Sequence, residues 1–266
     1  MKFIINADDF GMSESVNRAI ADAFQKGWIS NTTIMVNMPY AEQAAGLARE
    51  NGFFDRVGLH FNVSEGPPVT GAFAANPELT DSGGRMTGFY RRSLQKQFFI
   101  GGAAHDAVTK EAEAQVRRYL ELGFTQMHCD SHHHTHNYLS IYSALEPALK
   151  RYGFRSVRPA KNMNHHVRYV RPDKRLYKLM FNARLRGAFE RRADYFMSFD
   201  EYRALGDRNF KNGVIELMCH PDYEGEKLIN RGNIGFGELS GRFSGGSLIS
   251  YGELAGGAPG KYSQLI

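Results

Sequence analysis

Short apolar runs and amphipathic helical segments alternate along this chain, and that alternation constrains its fold more than any other feature. Lys2–Ala7, with β-branched Ile4 and Ile5, reads as a buried strand. Gly11 permits a sharp turn, and Ser13 or Ser15 can cap a helix with Val16, Ile20, Ala23 and Phe24 on one face. Ile29–Asn37 is a second strand, Ala41–Asn51 a second helix closed by Gly52, and Arg56–Phe61 a third strand. Helices are expected at Asp106–Leu122, at Tyr138–Tyr152 despite Pro147, and within 172–190 through Leu176, Leu179, Met180 and Ala183. Further strands are expected at Thr125–Asp130, Ser156–Pro159, Tyr195–Phe199 and Val214–His220. A last strand or short helix is expected around Leu248–Tyr251, in a glycine-rich tail starting at Gly232. Strand–helix–strand order with right-handed crossovers gives parallel pairing. About seven parallel strands in 266 residues predict a single-domain α/β fold over 1–266, a distorted (β/α) TIM-like barrel.

Residues 62–105 break the rhythm. They carry Pro67, Pro68, Pro77 and seven glycines, with Phe73, Phe89, Tyr90, Phe98 and Phe99 scattered among them. A long irregular insertion after a strand that delivers His60 is expected to act as a lid or substrate loop. Its aromatics either stack on sugar faces or anchor the loop to the body.

Five of the ten histidines fall between His128 and His136, in the run His128-Cys129-Asp130-Ser131-His132-His133-His134-Thr135-His136. Imidazole is the commonest metal ligand, and a tract this dense points to a metal site at a strand end. Asp8 and Asp9, His60 and His220 also fall at the carboxyl ends of strands, where α/β folds collect their chemistry. One carboxylate and two imidazoles on a divalent ion leave positions open for water and substrate, the pattern of a catalytic site. Of two adjacent aspartates, one can bind the ion and the other accept a proton. Spacing does not settle which histidines bind. His128/His132 and His132/His136 are both i, i+4 pairs, so His132 is the ligand common to both, and the others orient it or contact substrate.

The runs Asn6-Ala7-Asp8-Asp9-Phe10-Gly11, Gly58-Leu59-His60-Phe61-Asn62, Asp130–His136 and Cys219-His220-Pro221 resemble, in order, the signatures of the YdjC-like carbohydrate deacetylases, closest to the chitooligosaccharide deacetylase branch. The resemblance implies a deformed barrel that hydrolyses an N-acetyl group on an amino sugar. It implies one divalent ion, magnesium or zinc, held by Asp9, His60 and His132, with Asp8 as base. Two imidazoles favour zinc or another transition metal. His128, Asp130, His134, His136 and Asn62 are then supporting or substrate-binding residues. The family often has glycine after the His-Pro pair, where this chain has Asp222. His220 is the candidate acid for the leaving amine, and Arg158 the candidate ion-pair partner that keeps Asp8 ionised.

Two rival functions use the same residues. One is another metal-dependent barrel hydrolase acting on a phosphate ester or a different amide. The other is a non-catalytic sugar- or metal-binding protein. Residues 151–192 hold 13 Lys/Arg against Asp173 and Glu190, so the rest of the chain is net acidic although the whole carries +5. This block, with its helical part in 161–192, reads as a solvated helix face, since no nucleic-acid motif accompanies it. The expected partner is a small carbohydrate, with no nucleic acid and no membrane; barrels of this size often pair as homodimers. Two distant cysteines, Cys129 and Cys219, an N-terminus unlike a signal peptide and no long apolar run lead to the expectation of a cytoplasmic protein.

Overall fold

A computed structural model describes residues 1–163, 166, 169–205, 210, 212–231 and 246–254, with all their side chains except those of Phe89 and Arg92. The chain begins β1 (Lys2–Phe10), α1 (Glu14–Gln25), β2 (Asn31–Ile34), α2 (Ala41–Glu50), β3 (Val57–Phe61). Ser13 caps α1 by accepting the Val16 N–H at 3.2 Å. The insertion contains α3 (Gly71–Ala74) and α4 (Leu94–Phe98). Then follow α5 (Gly102–Glu121), β4 (His128–Ser131), α6 (Leu139–Arg151), β5 (Ser156–Val157), α7 (Pro172–Ala188), β6 (Tyr195–Ser198), α8 (Phe199–Leu205) and β7 (Val214–Cys219). A hairpin, β8 (Pro221–Glu224) and β9 (Lys227–Asn230), was not expected; β10 (Ser247–Leu248) and a 3₁₀ turn at Tyr251–Glu253 realise both alternatives foreseen for the tail. Most of that tail's glycines lie outside the described residues.

The strands run parallel in the order β5–β4–β3–β2–β1–β7–β6, with β10 added beside β1. The sheet curls on itself: Arg158, just past β5 at one end of this order, touches Asp8 of β1, Asp130 of β4 and Glu216 of β7. This is the distorted barrel the alternation predicts.

Strand alternation divides the residues between two environments. Phe3, Ile5 and Ala7 of β1 face outward into the helix-covered core with Ile20, Val57, Leu59, Tyr119 and Leu217. Burying each large apolar side chain stabilises the fold by about 1.5–3 kcal/mol. The even positions of β1 face inward. Ile4 packs with Ile249, Tyr251 and Leu254, which close the lower end of the barrel, while Asn6 and Asp8 join a polar interior.

The insertion is anchored and also walls a cavity. Phe73 and Tyr90 are fully buried, and Glu111 of α5 accepts the Val69 and Thr70 N–H groups at 2.8 Å each. Phe98 and Phe99 are exposed, and the Phe89 side chain lies outside the described residues. In α7, Leu176, Leu179 and Met180 point to solvent, while Phe181, Asn182 and Leu185 pack inward. Among the described residues no helix is long and apolar enough to cross a membrane.

Candidate metal and catalytic site

Successive strand residues normally face opposite sides, so Asp8 and Asp9 should diverge. They do not, because the register of β1 with β2 shifts between Ala7 and Phe10, and Asp9 takes a left-handed backbone with φ of 70°. Such a conformation costs about 1–3 kcal/mol and here re-aims the second carboxylate. Both acids line one cavity of about 760 Å³ with His60, Glu65, Arg91, His132, His133, His134, Tyr138, His220 and Arg231. Gly11 (φ 91°) completes the turn, and a Cβ there would lie 3.1 Å from the Met35 carbonyl oxygen.

His60 Nε2 lies 3.3 Å and His132 Nδ1 2.9 Å from Asp9 Oδ1. The donor atoms of the three residues fall within 4.8 Å of one another, and all three residues are buried. Behind them, His60 Nδ1–H donates to Asp130 Oδ1 at 2.6 Å, which fixes the ring with Nε2 toward Asp9. Thr33 Oγ1–H donates to Asp130 Oδ2 at 3.0 Å. A carboxylate and two imidazoles, one backed by an acid, fit a divalent ion. Two other groupings are less suited. In the Asp8–His60–Asp130 group both acids are committed to Arg158, and Glu65 of the Glu65–His132–His133 group is half exposed.

The electrostatics agree with this donor set. Burial alone would depress His60, but Asp130, Asp9 and Asp8 raise its pKa to about 10. His132 is raised against its own burial by Asp9 and by Glu65, whose Oε2 is 2.9 Å from Nε2. Burial pushes Asp9 upward, and the His132 and His60 hydrogen bonds overcome it, leaving the acid well below the carboxylate range. Both imidazoles therefore hold a proton more tightly than a free histidine does, and an ion would compete with those protons.

Arg158 is fully buried below this cluster. It donates to both oxygens of Asp8 at 2.7 Å and approaches Asp130 Oδ2 at 2.7 Å, while its Nε donates to Glu216. Its guanidinium lies 4.8 Å over the Phe196 ring. Burial is the largest single influence and would raise the Asp8 pKa, but the charge and hydrogen bonds of Arg158, with His60 and His220, together outweigh it and hold Asp8 ionised. Glu216 is raised, because burial outweighs Arg158 and the Tyr251 hydroxyl that donates to it at 2.7 Å.

The remaining candidates divide. His134 lines the cavity with its Nδ1 unpartnered among the described residues, and burial with Arg158 lowers its pKa. His220, just past β7 beside β1, also lines the cavity, its backbone N–H donating to Asn230 Oδ1 at 2.7 Å. His128, His136 and Asn62 do not line the cavity. His128 stacks on Tyr251, His136 lies between Ser131 and the Arg158 carbonyl, and Asn62 braces the turn to Glu65. Sequence reasoning missed Glu65, Arg91, Glu216, Arg231 and Tyr251. Only Glu216 carries a signal, as the lone acid within Val214–Cys219. Asp222 accepts from Ser15 and from Arg231 Nε at 2.9 Å, holding Arg231 at the rim, 3.7 Å from Asp9.

The sequence model of the YdjC-like protein family matches residues 2–238. The chain belongs to that family. A protein named carbohydrate deacetylase from Geobacillus stearothermophilus is 34% identical over 83% of this chain and 79% of its own length. One of the same name from Halalkalibacterium halodurans is 31% identical over 86% and 88%. Another from Vibrio cholerae is 38% identical over 57% and 56%. A crystal structure from Enterococcus faecalis, described as a candidate cellobiose-phosphate cleavage protein, superposes with a TM-score of 0.69 at 20% identity, covering 94% of this chain and 97% of that one. At that identity the likeness is one of fold.

Proposed function

We propose that this YdjC-like protein is a carbohydrate N-deacetylase that hydrolyses the acetamide of an amino sugar or short chitooligosaccharide. The observation that carries the reading is the pairing of two adjacent acids with different partners: Asp9 lies with His60 and His132, while Asp8 is fixed by Arg158 and left out of that set. A pure binding site has no need of the second acid. The relatives named carbohydrate deacetylase support the substrate class, and the cavity beside the acids speaks against a protein that merely holds an ion.

Asp9, His60 and His132 would hold a divalent ion, zinc or magnesium, which supplies Lewis acidity toward the amide carbonyl and lowers the pKa of water. Asp8, ionised and held through both oxygens, accepts the proton of the attacking water. Arg158 orients that carboxylate and neutralises part of the charge buried with it. His220, on the same cavity, delivers a proton to the leaving amine. Glu65, Thr87, Gly88 and Arg91 of the insertion form part of the cavity wall that faces the substrate.

Arg91 and Arg231 on the cavity wall favour a second reading, in which a phosphate ester is the bond cleaved. Among the described residues none of the basic block 161–192 lines the cavity, and Arg91 and Arg231 are the arginines on its described wall. Assaying metal-loaded protein for acetate from N-acetylated sugars and for phosphate from sugar phosphates separates the two. Phosphate release without acetate would replace the first reading with the second.

A further inference from the structure

Helix α7 turns an apolar stripe to solvent. Leu176, Leu179 and Met180 are 59%, 54% and 65% exposed, and exposed Ala183 extends the row. These positions are spaced i, i+3, i+4 and i+7, so they form one continuous face. The opposite face is the one packed on the body, through Phe181, Asn182 and Leu185. On the helical wheel Arg175 and Arg186 border one edge of the stripe; Arg184, at the other edge, pairs with Glu146 of α6 at 2.5 Å. The helix holds five cations against the single acid Asp173, which Arg171 already pairs at 2.9 Å.

A second apolar group adjoins it. Leu94, Phe98 and Phe99, on and just after α4, are 63%, 45% and 70% exposed. The Phe98 ring meets Tyr177 of α7 edge-on at 5.3 Å. Both helices are tied to the cavity wall. Tyr177 O–H donates to the Asn137 carbonyl at 2.7 Å, beside the cavity residue Tyr138, and α4 follows the cavity residue Arg91.

We propose that α7 and α4 form a docking surface for an anionic lipid bilayer. Leu176, Leu179, Met180, Phe98 and Phe99 enter the acyl boundary, Arg175 and Arg186 lie at headgroup level, and the cavity mouth comes to rest beside the membrane. Charge complementarity decides the occupant. A second copy would bring like cations together, whereas anionic headgroups pair with the arginines while hydrocarbon covers the stripe. The contact is interfacial, consistent with the lack of a membrane-crossing helix among the described residues. It replaces the expectation of no membrane partner, which rested on the absence of a long apolar run and on reading this basic block as fully solvated. The inference is independent of the bond the enzyme cleaves.

The test is co-sedimentation of the full chain with vesicles of phosphatidylcholine alone or mixed with phosphatidylglycerol, at low and high salt. The expected result is roughly tenfold or greater preference for the anionic vesicles, weakened by salt. Joint Leu179→Ser and Met180→Ser substitution should lower partitioning by roughly tenfold, with melting temperature and solution mass unchanged. Equal or absent binding to both vesicles overturns the proposal, as does anionic binding that the serine variant leaves intact. A solution dimer dissociated by the same variant also overturns it, assigning the stripe to a second copy.

Discussion

Arg158 grips both carboxylate oxygens of Asp8 at 2.7 Å, across the inside of the barrel and 150 residues away in sequence. A buried fork of this kind holds the acid ionised and in one orientation, which is what a proton acceptor beside a metal site requires.

Asp8→Asn keeps the shape and removes the charge. Turnover should fall by about 10²- to 10⁴-fold, the usual contribution of a positioned base. Zinc binding, measured by chelator competition, should be retained because Asp9, His60 and His132 are untouched. Undiminished acetate release would remove Asp8 from the mechanism.

Arg158→Lys leaves a charge but cannot serve Asp8, Asp130 and Glu216 together. Breaking a buried ion network typically costs about 3–5 kcal/mol. Urea denaturation should show a loss approaching that size. Wild-type stability would mean that a single ammonium satisfies the cluster.

Tyr251 lies flat on His128, ring centroids 3.4 Å apart, and donates to the acid that holds Arg158. Tyr251→Phe preserves the stacking and removes the donor. Stability should drop by about 1–3 kcal/mol. If Glu216 positions Arg158, kcat should fall with KM unchanged. A change confined to KM would place Tyr251 in substrate binding instead.

The metal-free protein should lose stability in alkali. His60 has a folded pKa of about 10 against an ordinary value of 6.5, so its proton binding favours the folded state. That contribution is complete below the unfolded value and disappears as pH rises through the folded one. Denaturant melts of stripped protein across the alkaline range should show the decline. Calorimetry in buffers of different ionisation enthalpy should show protons released as the ion binds at neutral pH. Binding without proton release would mean that the imidazoles are already neutral.

Much of this arrangement is legible in the sequence because strand alternation and strand-end position act locally. Asp8, Asp9, His60 and His132 end β-runs in a parallel fold, and the barrel brings those ends together. What escaped depends on geometry no spacing encodes. The His128–His136 run reads as one cluster, yet His128, at the start of β4, stacks on Tyr251, a left-handed turn at His133 and His134 keeps His132, His133 and His134 at the cavity, and His136 is held between Ser131 and the Arg158 carbonyl. Tyr251 reaches the interior from beyond the glycine-rich stretch, with no local pattern to announce it. Glu216 is visible only as an acid where an apolar residue is expected. In α7 the periodic row Leu176–Ala183 was readable, but periodicity does not say which face meets the body. Phe181 and Leu185 occupy that face.

The most direct test of the central claim is acetate release from N,N′-diacetylchitobiose by protein stripped of metal and then restored with zinc or magnesium. The account predicts no acetate from stripped protein, recovery on adding the ion, and no recovery in His60→Ala. Equal acetate from stripped and restored protein would contradict the metal site, and no acetate under any condition would contradict this sugar as substrate.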